Sequence, residues 1–272
     1  MADRLTATLD LGGLENSAGQ HAAALQLLTP VHADLLARLG PQHPLTVSAL
    51  SELAMASLRL GQGPALAQWL QALRNGVGDG DAGRVDHADI LAAMAQLYNG
   101  QAAAVEPALQ RLLLALARDE GGISAATEPL RRLHAEALLR QGRSQEAEAA
   151  LRRTRANQQR LSTAGHPGIA TTLVLLGIAQ ARRGDVAAAR QLWADAAPVL
   201  ACTYGPAHPH ALAAACYAAL AATSGSQLPA QRAALADVLQ QRLGWQDGAA
   251  ALAASLRATA HTPDWRHLPV VL

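Results

Sequence analysis

Between Pro167 and Tyr204 the apolar residues fall into two helical stripes separated by a sharp polar break. Leu173, Leu176, Ile178 and Ala179 recur at helical spacing up to Arg183, and Val186, Ala189, Leu192, Trp193 and Ala196 do so beyond Gly184-Asp185. Glycine ends the first stripe and aspartate is placed to cap the second. Pro167 suits a first helical turn, where its missing N–H costs nothing. Tyr204-Gly205-Pro206 then breaks the second helix, and His208-Pro209 starts the pattern again. The pattern predicts a helical hairpin, and the chain carries no strand signal.

The hairpin repeats. Turn glycines stand at Gly19, Gly61, Gly100, Gly142, Gly184 and Gly225, with steps of 42, 39, 42, 42 and 41 residues. His-Pro pairs at His43, His166 and His208 open units in the same phase. A period near 42 without strands predicts stacked helical hairpins, since each unit can bury its apolar face only against its neighbours. One unit runs from about Pro44 to Gly76, the next from Val85 after a Gly/Asp-rich stretch over Asn75–Gly83, and a third from Ala125 to Arg160. The last hairpin has its second helix over Pro229–Leu243, and a further helix over Gln246–Ala260 is placed to cap the array. The expected fold is therefore all-α: a solenoid of six hairpins and a capping helix over 1–260, then an irregular tail over 261–272. Only eighteen residues precede Gly19, and Gly12-Gly13 weaken that first helix. Either the first hairpin is frayed, or the chain continues a longer protein upstream.

Composition narrows the chemistry. Half the residues are hydrophobic but only 3% are aromatic, with no Phe; alanine and leucine supply the apolar share and both favour helix. All 22 basic residues are arginine, which excludes a phosphate-loop lysine, a kinase strand lysine and a Schiff-base lysine. A net charge of +1 gives no basic excess for nucleic acid. Cys202 and Cys216 are too few for a disulfide framework and are expected to be reduced and buried. No 18-residue apolar run and no signal-peptide pattern occurs, which points to a cytoplasmic protein without a membrane partner.

Candidate chemical sites fail on spacing. The three His-Pro histidines lie a period or more apart, too far to share a metal, and suit loop or capping roles. Asp79-Gly80-Asp81-Ala82-Gly83-Arg84 has arginine where a calcium loop needs glycine, and Ile90 stands where it needs glutamate. His134 with Glu136, or Cys202 with any histidine, sits in no catalytic motif. No catalytic residue, cofactor or metal is expected.

The units resemble tetratricopeptide repeats, and the linkers Leu39-Gly40-Pro41-Gln42-His43-Pro44 and Tyr204-Gly205-Pro206-Ala207-His208-Pro209 look like those of the 42-residue kinesin-light-chain type. Leu176-Gly177 matches the family's Leu-small pair on the first helix, and Ala189, Trp193 and Ala196 match its small, large and small positions on the second. Ala135, Ala147 and Leu151 fill equivalent places in the preceding repeat. The resemblance implies a right-handed superhelix whose concave face binds peptides or partner proteins. The family's carboxylate clamp needs lysine, which is absent. Where paired asparagines often hold peptide backbone, this chain has Ser51-Glu52, Arg132-Leu133 and Val174-Leu175.

Residues 128–160 hold eight arginines against four glutamates. Arg132, Glu136 and Arg140 share one stripe of a first helix. Repeat register puts that stripe on the groove together with Ile90, Met94, Tyr98, Val174, Ile178 and Arg182, the last one period beyond Arg140. A salt-bridged solvated face is the plain alternative. As a groove, the set combines apolar contacts with solvent-facing guanidiniums suited to an acidic protein segment. The function expected is a non-catalytic, bacterial protein-binding scaffold. The alternative is the regulatory part of a larger signalling protein, a kinase or transcriptional regulator.

Overall fold

The computed structural model describes residues 2–76, 82–119, 123–124, 127–163, 165–222, 228–258 and 263–272. Among them are thirteen α-helices, one short 3-10 turn and no strand. The chain forms two compact units, Met1–Ala95 and Gln96–Leu272.

In the first unit α1 (Ala2–Ser17) packs on α2 (His21–Leu39), α2 on α3 (Pro44–Arg59), and α3 on α4 (Gly63–Gly76). Leu9, Leu28, Leu35 and Leu53 form its centre. Helix α5 (Ala82–Tyr98) carries the boundary between the units. In the second unit α6 (Ala102–Asp119), α7 (Thr127–Arg140), α8 (Ser144–Leu161), α9 (Pro167–Arg182), α10 (Val186–Tyr204), α11 (Pro209–Ala221), α12 (Leu228–Leu243) and α13 (Ala249–Arg257) pack in chain order. First helices also touch across one hairpin, α7 on α9 and α9 on α11. This is the packing of an α-α solenoid.

The hairpin turns share one mechanism. Gly184 has φ 95°, a conformation in which any Cβ is strained. Its N–H bonds Ala181, and the N–H of Asp185 reaches back to Gln180, so two end carbonyls of α9 are satisfied. The same pair of bonds recurs at Gly19, Gly61, Gly100 and Gly142, all with positive φ. Gly225 lies outside the described residues, as do Ala125, Asp79-Gly80-Asp81 and His261.

The His-Pro pairs are helix caps. The Nδ1 atoms of His43, His166 and His208 accept the N–H of Leu45, Gly168 and His210 at 3.2, 3.1 and 3.2 Å. Each proline then occupies the first helical position. Asp185 caps α10 through the N–H of Ala188.

The capping helix is shorter than expected, beginning at Ala249 because Gly248 takes a left-handed conformation at φ 86°. Cys216 is buried, and burial pushes its thiol pKa up to about 12. Cys202, expected to be buried, is exposed near the end of α10. No described helix is long and apolar enough to cross a membrane.

Candidate functional site

Helices α7, α9 and α11 are the first helices of three consecutive hairpins. Against them lie two stretches from the end of the chain: the loop Gly244–Gly248, and residues 263–272. The loop has two anchors. Asp247 donates its N–H to the carbonyl of Tyr98 at 2.9 Å, and Trp245 meets the Tyr98 ring edge-on at 5.8 Å.

The second stretch begins with a 3-10 turn over Trp265–His267, capped by Asp264. It continues without regular structure through Leu268 to Leu272. Trp265 stacks at 6.2 Å on Trp193, which itself stacks at 5.4 Å on Tyr217. Leu268, Val270, Val271 and Leu272 are each no more than 3% exposed. A buried non-helical backbone must find hydrogen-bond partners, and side chains supply them. Arg182 donates from Nε to the Leu268 carbonyl at 2.9 Å, and also reaches the Leu139 carbonyl at the end of α7. The Tyr217 hydroxyl donates to the Pro269 carbonyl at 2.8 Å and accepts the Val271 N–H at 2.9 Å. Gln246 pairs with both backbone groups of Leu272. Burial pulls the Arg182 pKa down, with Tyr217 raising and Arg140 lowering it in smaller measure. Burial likewise raises that of Tyr217, so the hydroxyl keeps the proton it donates.

The expected site residues fall in several places. Ile90 and Met94 belong to the first unit and are half-buried. Tyr98, Val174 and Ile178 are buried in the second. Glu136 and Arg140 form a buried ion pair at 2.9 Å, their side chains 1% and 4% exposed. The Arg140 guanidinium also sits 5.7 Å over the Tyr98 ring and donates to the Asp247 carbonyl at 3.4 Å. Arg132 is half-buried on α7. Solvent-facing guanidiniums at Arg140 and Arg182 are thus corrected: the loop and residues 268–272 cover both.

Part of the wider arginine cluster is also paired: Arg131 with Glu128, Arg143 with Glu146 and Glu106, and Arg152 with Glu148, on which Arg183 converges as well. His134 stands 3.6 Å from Glu106 within this network. Among the described residues, an open depression of about 430 Å³ lies between α1 and α2 of the first unit, and one of about 260 Å³ in the second is bordered by Arg131, His134 and Arg153.

Tyr217, Gln246 and the apolar run Leu268-Pro269-Val270-Val271-Leu272 were missed by sequence reasoning. The signal was there: five uncharged apolar residues in an irregular tail require burial. Nothing in the sequence says against which helices.

Residues 127–201, spanning α7 to most of α10, match the tetratricopeptide repeat family. These two hairpins are tetratricopeptide repeats. Among solved structures the chain is similar to the nearly identical repeats of a putative kinesin light chain from Podosopora anserina, at 22% identity. That match covers 90% of this chain and 96% of the other, with a TM-score of 0.36. A single-substitution form of the same protein matches at 22% identity over 89% and 94%, with a TM-score of 0.37. No curated protein matches the sequence.

Proposed function

We propose that this protein is a non-catalytic scaffold that binds a segment of a partner protein on the first-helix face of its second unit. Tetratricopeptide repeats generally mediate protein–protein interaction. The observation that carries the reading to this face is the hold of Arg182 and Tyr217 on the backbone of residues 268–271. Capturing main-chain groups with side chains while pocketing apolar side chains is how extended peptides are recognised. Neither arginine of the face is offered free to a ligand: Arg140 pairs with Glu136, and Arg182 donates to the Leu268 and Leu139 carbonyls.

Selection of phage-displayed peptides on the immobilised full chain tests the reading. Enriched peptides should lose binding to the Arg182→Gln, Tyr217→Phe double variant. No enrichment, or enrichment indifferent to those substitutions, would overturn it.

A further inference from the structure

We infer that residues 265–272 act as a resident ligand, and that the peptide exchanging with them is a non-helical segment, uncharged at its buried positions, with an aromatic residue three positions before a leucine. The inference rests on the reading of this face as a peptide site and specifies what the site accepts.

Within this stretch, exposure separates two kinds of residue. Arg266 and His267 are exposed, whereas Leu268, Val270, Val271 and Leu272 are buried and Trp265 stacks on Trp193. The charged positions therefore contribute nothing to the fit. The buried ones define an aromatic-x-x-Leu-x-Val-Val-Leu pattern. The backbone is read independently of sequence, by three side chains from three different elements. Arg182 on α9 takes the Leu268 carbonyl, Tyr217 on α11 takes Pro269 and Val271, and Gln246 in the loop takes Leu272. None of these bonds belongs to a helix or to a ladder between strands. A second peptide can therefore replace the segment without breaking any helix hydrogen bond. A peptide with a carboxylate at the Val270 or Val271 position is disfavoured, because that group would lose its water while Arg140 already pairs with Glu136 and Arg182 already donates to two carbonyls.

The probe is a fluorescein-labelled synthetic copy of residues 264–272, with anisotropy measured against the full chain. Trp265→Ala with Leu268→Ala in the chain loosens the resident segment, and the probe should then bind about tenfold or more tighter than to wild type. A probe carrying Asp at the positions of Val270 and Val271 should bind about tenfold weaker than the parent probe. A helical, cooperatively melting double variant that binds no probe would show the segment to be a fixed part of the core. That overturns the inference, while peptides selected through Arg182 and Tyr217 would keep the broader reading alive. Stronger binding of the Asp probe overturns the ligand class in the same way.

If the double variant does not fold, hydrogen exchange on the wild-type chain decides. The Val271 and Leu272 amides should be about 100-fold or more less protected than those of Leu175 and Ala179 in α9. Equal protection would mean that the segment leaves only on global unfolding, and would overturn the proposal.

Discussion

Trp193 on α10 donates its indole N–H to the carbonyl of Val174 on α9 at 3.0 Å. The ring is wholly buried, and Gly177, one turn along α9, leaves the space it fills: a Cβ there would overlap the indole. One residue without a side chain thus admits the largest side chain of the repeat. Trp193→Ala should cost about 3–5 kcal/mol, the usual range for a buried tryptophan. Gly177→Ala should also destabilise, by about 1–3 kcal/mol, although alanine is the better helix former. Urea denaturation of both variants checks this. A neutral Gly177→Ala would mean that the indole can move aside.

Arg140 and Glu136 lie one turn apart on α7, almost without solvent. Removing one partner of such a pair leaves a buried charge uncompensated, which typically costs about 3–5 kcal/mol. Arg140→Ala should therefore destabilise the second unit strongly, and the Arg140→Ala, Glu136→Ala double variant should cost less than the sum of the singles. A double-mutant cycle by urea denaturation measures the coupling. Strict additivity would show that the pair contributes through packing alone.

The array of hairpins was legible because its determinants are local. A glycine that must adopt positive φ, and a histidine and proline that start a helix, each leave a mark at fixed spacing. Trp193 was placed correctly for the same reason, since repeat register fixes its neighbours. The site was legible only in part. Register put Glu136, Arg140, Val174, Ile178 and Arg182 on one side of their helices. Whether that side meets water depends on residues about a hundred positions away. Arg140 to Asp247 and Arg182 to Leu268 are contacts between parts of the chain with no shared periodicity. Charge alone could not show this: Arg140 and Arg182 counted as solvent-facing guanidiniums, whereas the first bonds Glu136 and the second bonds backbone carbonyls within the fold.

The His-Pro caps make a separate, local prediction. His166 Nδ1 accepts the Gly168 N–H at 3.1 Å, satisfying one of the free donors at the start of α9. His166→Ala should cost about 0.5–2 kcal/mol, as loss of an N-cap does. His166→Asn should recover most of it, because asparagine offers an acceptor at similar reach. Thermal melts of the two variants compare directly. Equal losses would mean that the ring stabilises by packing and not by capping.

Acidification should destabilise the second unit, with His134 the first group to act. Burial lowers the His134 pKa below 6.5; the Glu106 carboxylate pulls it back up, Arg143 pushes it down and Glu146 raises it, but the net direction is down. The folded protein therefore binds fewer protons than the unfolded chain once pH falls below 6.5, and stability drops with pH until His134 protonates in the fold as well. Burial raises the Glu106 pKa, but its bonds to Gln141 and Arg143 outweigh this and hold it below 4.5. Its contribution is present above 4.5 and is lost as pH falls through the folded value. Buried Glu128, with its pKa raised, works the other way and offsets part of the loss as it takes up a proton. The melting temperature should thus decline from pH 7.5 to 5.5, and more steeply below 4.5. His134→Gln should flatten the upper part of the profile and leave the acid limb in place, since glutamine can still face Glu106 but does not titrate. A variant profile that parallels wild type between pH 7.5 and 5.5 would remove His134 from the account.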